Sequence, residues 1–140
     1  MKKIFALALL MSLSAAAGAQ GYPAKVVRIV VPYPAGTGPD NVGRLVAQYF
    51  QESLGQPFII ENRAGAGGNI ATEAVVNAPA DGHTLLLIGS SNTINPTLYE
   101  KLNFNFVRDI APIASFIRAP LVMVVNPSFP AQTEIGRAHV

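Results

Sequence analysis

Two rhythms of apolar residues alternate along the chain. Lys25-Val26-Val27-Arg28-Ile29-Val30-Val31 is a β-branched run stopped by Pro32 and Pro34. A nearly continuous apolar strand of this kind fits a parallel sheet buried on both faces. Val42, Leu45, Val46, Tyr49 and Phe50 then recur at helical spacing and predict the apolar face of a helix. That helix should close at Leu54, with Gly55 as its left-handed cap. Phe58 to Asn62 predicts a second strand, and a shorter helix follows through Ile70, Ala74 and Val75. Ala80-Asp81-Gly82 reads as a turn into a third buried strand, Thr84 to Ile88. Ile110 to Ile117 and Leu121 to Val125 are expected to be strands as well, punctuated by Pro120, Pro127 and Pro130.

Successive strand–loop–helix units predict an α/β sheet whose loops gather at the carboxyl edge of the strands, where open α/β sheets bind ligands. Those loops contain few titratable groups and much accessible backbone: Pro34-Ala35-Gly36-Thr37-Gly38-Pro39-Asp40, Arg63-Ala64-Gly65-Ala66-Gly67-Gly68-Asn69 and Gly89-Ser90-Ser91-Asn92-Thr93. Glycines let a main chain approach a ligand, and the helix start that follows each loop offers N–H groups with a partial positive charge. Such a site takes a carboxylate or phosphate without a formal cation. Any one of these loops is also explained by turns and caps alone; three converging on one edge favour binding.

Composition narrows the alternatives. Over residues 20–133 seven Lys and Arg face seven Asp and Glu, so the core carries no net charge and no basic stripe for nucleic acid. There is no cysteine, hence no disulfide, thiolate metal site or cysteine nucleophile. Gly65-Ala66-Gly67-Gly68-Asn69-Ile70 has Ile where a dinucleotide fingerprint needs its third glycine. The run from Gly38 to Leu45 lacks the Lys and Ser/Thr of a P-loop. Ser90 and Ser91 sit in no G-x-S-x-G elbow, and the carboxylates are spaced for no metal cluster, so neither catalysis nor a cofactor is expected. His83 reads as an ordinary edge histidine. Asp40 is expected first as the N-cap of the first helix, with a tie between loops as the second role. Tyr33 could contact a ligand or pack at the loop base.

The N-terminus has the organisation of a secretory signal. Met1-Lys2-Lys3 is positive, residues 4–13 are apolar apart from Ser12, and Ala17-Gly18-Ala19 fits an A-x-A cleavage pattern. An apolar run this short does not cover the ~20 residues of a membrane span. Residues 1–19 are therefore expected to be a cleaved signal, with Gln20 first in a periplasmic product.

Several ordered motifs then resemble one family, the tripartite tricarboxylate transporter receptors, also called the Bug family. They are Tyr22-Pro23-Ala24-Lys25, Ile29-Val30-Val31-Pro32-Tyr33-Pro34-Ala35-Gly36, Glu61 to Ile70, Ala78 to Leu86, Asn95 to Tyr99 and Asp109 to Ile113. The likeness runs over residues 22–133. It implies a type II periplasmic-binding-protein fold, two α/β lobes closing like a Venus flytrap on a ligand. Residues 20–133 would supply most of the first lobe, up to the inter-lobe crossover. It also implies capture of a small carboxylate, a di- or tricarboxylate, acidic amino acid or aromatic acid, by a monomer that delivers it to membrane permease subunits or to a sensor. Carried over onto this sequence, the contacts would be Tyr33, Ala35, Gly36, Thr37, Gly38, Gly67, Gly68, Asn69, Ser90, Ser91 and Asn92. The first loop departs from the family, with Thr37 in place of a glycine and Pro39 in place of a threonine. Residues 134–140, Glu-Ile-Gly-Arg-Ala-His-Val, do not resemble the family and match a reading frame of a common sequencing adapter, so a non-native tail is expected. The alternative from another class is an exported α/β serine hydrolase or transferase using Ser90 or Ser91.

Overall fold

The β-branched run that ends at Val31 forms the central strand of a parallel sheet. The computed structural model describes residues 21–118, 120, 122, 124–126 and 128–130; the expected signal segment and residues 134–140 lie outside it. Its elements are β1 (Val27–Val31), α1 (Gly38–Leu54), β2 (Phe58–Asn62), a 3₁₀ turn (Ala66–Gly68), α2 (Asn69–Val76), β3 (Thr84–Leu86), α3 (Ser90–Leu98) and α4 (Phe106–Asp109). The strand order is β2-β1-β3. Val27 to Val31 pair in register with Phe58 to Asn62, and Arg28 to Val30 with Thr84 to Leu86.

From β1 the chain crosses to β2 on one side and then back past β1 to β3 on the other. Right-handed crossovers in opposite directions put their helices on opposite faces. Val27, Ile29 and Val31 accordingly form a core with Ala47 of α1 and with Phe58, bordered by Phe50, Ile60, Leu85 and Leu87. Val30, pointing the other way, is also buried, and α2 packs against β1 and β3. Burial on both faces is why β1 lacks polar alternation except at Arg28, which reaches Glu61 and Thr84.

The buried face of α1 differs from the expectation. Leu45 and Tyr49 are 68% and 65% exposed, whereas Asp40, Gly43 and Ala47 are buried. The cause is close approach. A Cβ at Gly43 would stand 3.4 Å from both Ile60 Cδ1 and Leu87 Cδ2, so the helix meets the sheet through its smallest residues. Leu45 and Tyr49 lie on the far side of the turn. The expected cap is in place: Gly55 has φ 71° and donates its N–H to Gln51 O at 3.0 Å.

Two of the strands are shorter than the sequence implies. β1 begins at Val27, not Lys25, and β3 ends at Leu86, although the Leu87 N–H still donates to Val30 O at 2.9 Å. No strand forms over residues 110–117, nor at the described positions Val122, Val124 and Val125; Leu121 and Met123 lie outside the described residues. Strand propensity acts through a partner, and Ile113, Val122 and Val124 are 80–86% exposed, without one. No helix among the described residues is long and apolar enough to cross a membrane.

Candidate functional site

Reversal of the strand order at β1 makes the carboxyl ends of β1 and β3 a topological switch point, where neighbouring loops diverge and leave a crevice. Two of the three glycine-rich segments flank it. The first, residues 34–38, turns tightly at Gly36 (φ 82°), and Thr37 closes the turn by donating from Oγ1 to Pro34 O at 2.7 Å. Ala35, Gly36 and Gly38 are exposed, and Thr37 is half-buried. Opposite stands the start of α3. Ser90 and Ser91 are not loop residues but the first turn of this helix, so their N–H groups lie at its positive end.

Tyr33 links the two sides. Its hydroxyl lies 3.3 Å from Ser91 Oγ, and either oxygen can donate. A Cβ at Gly89 would overlap the Tyr33 hydroxyl, so the ring occupies the space that glycine leaves at the head of α3. Tyr33 is half-buried and also borders the core, so its ring packs at the loop base while its hydroxyl meets Ser91.

Asp40 does not cap α1. Thr37 holds that position, and Asp40 lies one turn inside the helix. Pro39 explains the shift: it is at home in the first helical turn, where its missing N–H has no partner to lose, and it starts the helix earlier. Asp40 takes the second role expected of it. Its buried carboxylate accepts from the Gly36 N–H at 2.8 Å, Arg44 Nε at 2.9 Å and Asn62 Nδ2 at 2.8 Å. Asn62 Nδ2 also donates to Tyr33 O at 3.0 Å. The first loop is thus fastened to the end of β2. The hydrogen bond from Arg44, then those from Gly36 and Asn62, bring the Asp40 carboxyl down from 3.8 to about 2, against the opposing effect of burial. Paired with Arg44, it adds no uncompensated negative charge to the crevice.

The remaining glycine-rich segment, residues 63–69, supports the second wall. Gly65, Ala66, Gly67 and Gly68 all have positive φ, including the non-glycine Ala66 at 46°. To pass from β2 to α2 on the far face, this backbone runs between the end of β1 and α3. A Cβ at Gly68 would lie 3.0 Å from Asn92 Nδ2 and 3.1 Å from Pro32 Cβ. Gly67 and Asn69 take hydrogen bonds from Asn95 Nδ2, at Gly67 O (2.9 Å) and Asn69 Oδ1 (2.7 Å). Asn92 is buried, and its described bonds go inward: Oδ1 accepts from the Gly89 N–H at 3.1 Å and Nδ2 donates to Thr72 Oγ1 at 2.9 Å.

Asn95 and Asn62 are the residues that reading the sequence missed as parts of this region. A recurring Asn at 92 and 95, one helical turn apart, was the available signal. His83 precedes β3, while Ser90 and Ser91 follow it, so that histidine sits at the opposite edge of the sheet from both serines. There its Nδ1 lies 2.9 Å from Asp81 O and its ring tilts against Tyr22. His139 lies outside the described residues.

Comparison with known proteins agrees with this architecture. The family model described as tripartite tricarboxylate transporter family receptor matches residues 42–136. Protein BugT of Bordetella pertussis is 39% identical over 117 residues, covering 82% of this chain and 36% of that protein. A UPF0065 protein of Pseudomonas sp. is 33% identical over 120 residues, covering 86% of this chain and 36% of the relative. This chain therefore spans about a third of the length of these curated relatives. Among solved structures, the periplasmic binding protein BugD superposes with a TM-score of 0.60 at 36% identity, over 63% of this chain and 29% of that one. MatC of Rhodopseudomonas palustris, solved with bound malate, superposes with a TM-score of 0.58 at 38% identity, over 63% and 30%. The parallel α/β domain is that of periplasmic binding proteins, and the chain belongs to the tripartite tricarboxylate transporter receptor family.

Proposed function

We propose that this segment forms one wall of a two-lobed receptor that captures a small carboxylate outside the cytoplasm. The observation that carries the reading is the meeting of the Tyr33 hydroxyl and Ser91 Oγ, 3.3 Å apart, at the switch point and the positive end of α3. Neutral hydroxyls and helix-end N–H groups suit reversible capture of an anion better than a formal cation does, because they bind without an ion pair to break on release. The malate bound to MatC, 38% identical, supports a carboxylate. Ser90, Ser91, Thr37 and Tyr33 would supply hydroxyls, and Ala35, Gly36 and Gly38 exposed backbone. Gly67, Gly68, Asn69 and Asn92 would act through the shape they give that wall. Membrane permease subunits of the tripartite system, or a sensor, would receive the ligand, and residues 1–19 would direct export.

The test is isothermal titration of the receptor at its full family length with malate, succinate and citrate. Saturable binding without turnover is expected. Ser91→Ala and Tyr33→Phe should each weaken it about tenfold, the effect of losing one hydrogen bond to a charged group. Absence of binding to every di- and tricarboxylate, or covalent labelling of Ser90 or Ser91 by a serine-reactive phosphonate, would overturn the reading.

A further inference from the structure

The face that helix α3 turns to the 3₁₀ turn and α2 carries amides where a buried helix face ordinarily carries aliphatic side chains. Asn92 and Asn95 are 2% and 3% exposed, and Tyr99, just past the helix and 39% exposed, brings its hydroxyl to the same side. Opposite them lie the backbone of Gly67 and Gly68 and the side chains of Asn69 and Thr72. A Cβ at Gly67 would stand 3.2 Å from Asn95 Nδ2 and 3.3 Å from Tyr99 Oη, and one at Gly68 3.0 Å from Asn92 Nδ2, so the two glycines are pressed flat against this face.

Two ties cross that contact. In the first, Asn95 Nδ2 donates to Gly67 O and to Asn69 Oδ1, which uses both amide hydrogens on the 65–69 loop. The second is a relay. The Gly89 N–H donates to Asn92 Oδ1, Asn92 Nδ2 to Thr72 Oγ1 at 2.9 Å, and Thr72 Oγ1 to Gly68 O at 3.1 Å. The loop so held is one that would not keep its shape unaided. It contains four successive residues at positive φ, and Ala66 at 46° has a side chain that disfavours this region.

We infer that Asn95 is a positioning residue: it locks the 65–69 loop to α3, so that the loop and the Ser90–Ser91 helix start move as one body facing Tyr33. An apolar contact would bury similar area but would not fix direction; paired amides fix distance and register together. The hydroxyls of Ser90 and Ser91 then meet a ligand from a preset position, and less ordering remains to be done on binding. The role in ligand capture rests on the carboxylate-receptor reading; the locking itself does not.

The test compares the receptor with its Asn95→Ala variant by amide hydrogen exchange and by titration with malate. Exchange at Gly68, Asn69 and Gly89 should quicken about tenfold, the effect of losing one or two buried hydrogen bonds. Val30 and Ile60 amides, in the core strands, should quicken by no more than the loss of global stability read from urea unfolding. Malate affinity should fall by a similar factor, through faster dissociation. Asn69→Ala, which removes one of the two Asn95 bonds and keeps the other, should give a smaller change at the same amides; it decides the matter if Asn95→Ala fails to fold. Unchanged loop exchange would overturn the lock. Faster loop exchange with unaltered malate affinity, in a receptor that binds malate, would overturn the positioning role. A receptor that binds no carboxylate would refute the functional reading instead, and the exchange rates would still decide the lock.

Discussion

A single methyl group added at Gly89 isolates the contact between the two walls of the crevice. The Gly89 backbone (φ −131°, ψ −171°) is extended and open to any residue, so Gly89→Ala carries no backbone strain. Its cost is steric. The new Cβ would overlap the Tyr33 hydroxyl and stand 3.1 Å from Cζ and 3.4 Å from Cε2 of that ring. Overpacking of this kind destabilises by about 1–3 kcal/mol, and displacing the ring from Ser91 forfeits a hydrogen bond of about 0.5–1.5 kcal/mol. Loss of unfolded-state freedom at the former glycine returns about 0.4–1 kcal/mol. The net expectation is about 1–3 kcal/mol, or several degrees in melting temperature for a domain of this size. In a Tyr33→Phe background the overlapping oxygen is gone and only the 3.1 Å contact with Cζ remains, so the same methyl should cost much less. Urea denaturation of the four proteins in this cycle measures the coupling, expected at about 1–3 kcal/mol. Additivity to within about 0.5 kcal/mol would refute the placement of the Tyr33 ring against the head of α3.

Acid should loosen the first loop in a defined window. The folded Asp40 carboxyl titrates near 2 instead of 3.8, so the stability it contributes is complete above about pH 4 and is lost as the pH falls toward 2. Asp81, held down to about 2 first by Lys25 and then by the His83 N–H, unloads in the same range. Asp40→Asn should therefore lower stability at neutral pH and flatten the acid limb of the pH–melting curve, leaving the part due to Asp81; an unchanged limb would contradict the Asp40 hub. In the core, Phe58 is 6% exposed and its ring lies tilted against that of Phe50, with centroids 5.3 Å apart. Phe58→Ala should cost about 3–5 kcal/mol in urea unfolding, and a loss under about 1 kcal/mol would contradict the packing of α1 on β2.

What the sequence discloses here depends on how local the cause is. The Phe58–Asn62 strand and the Gly55 cap lie where their residues point, because β-branching and a left-handed cap act over a few residues. The buried face of α1 was misjudged because large apolar residues are taken to mark it, while close packing on the sheet selects Gly43 and Ala47. Residues 110–117 misled for the opposite reason: a strand is decided by its partner, which local composition does not specify. In the site, Tyr33 and Ser91 could both be picked out, since hydroxyls in glycine-rich segments at a sheet edge are conspicuous. Their 3.3 Å approach across 58 positions was not legible, nor was the bond from Asn95 to Gly67, 28 positions away.

The three glycine-rich segments look alike in composition, yet topology gives them different work. β1 is central, and the chain leaves it toward β2 before returning to β3, so only the ends of β1 and β3 diverge and leave room for a ligand. The segment after β2 has to travel over the end of β1 to reach the opposite face, and its glycines serve that passage between Pro32 and α3. Positive φ in residues 65–68 is thus the mark of a crowded path, not of an open cradle. In the first segment Gly36 turns the chain so that its N–H meets Asp40, which leaves the hydroxyls of Thr37 and Tyr33 and the exposed backbone of Ala35 and Gly38 to meet whatever enters. In the proposed receptor, ligand-facing chemistry would therefore concentrate at the first and third segments, and the second would determine how firmly the third is held.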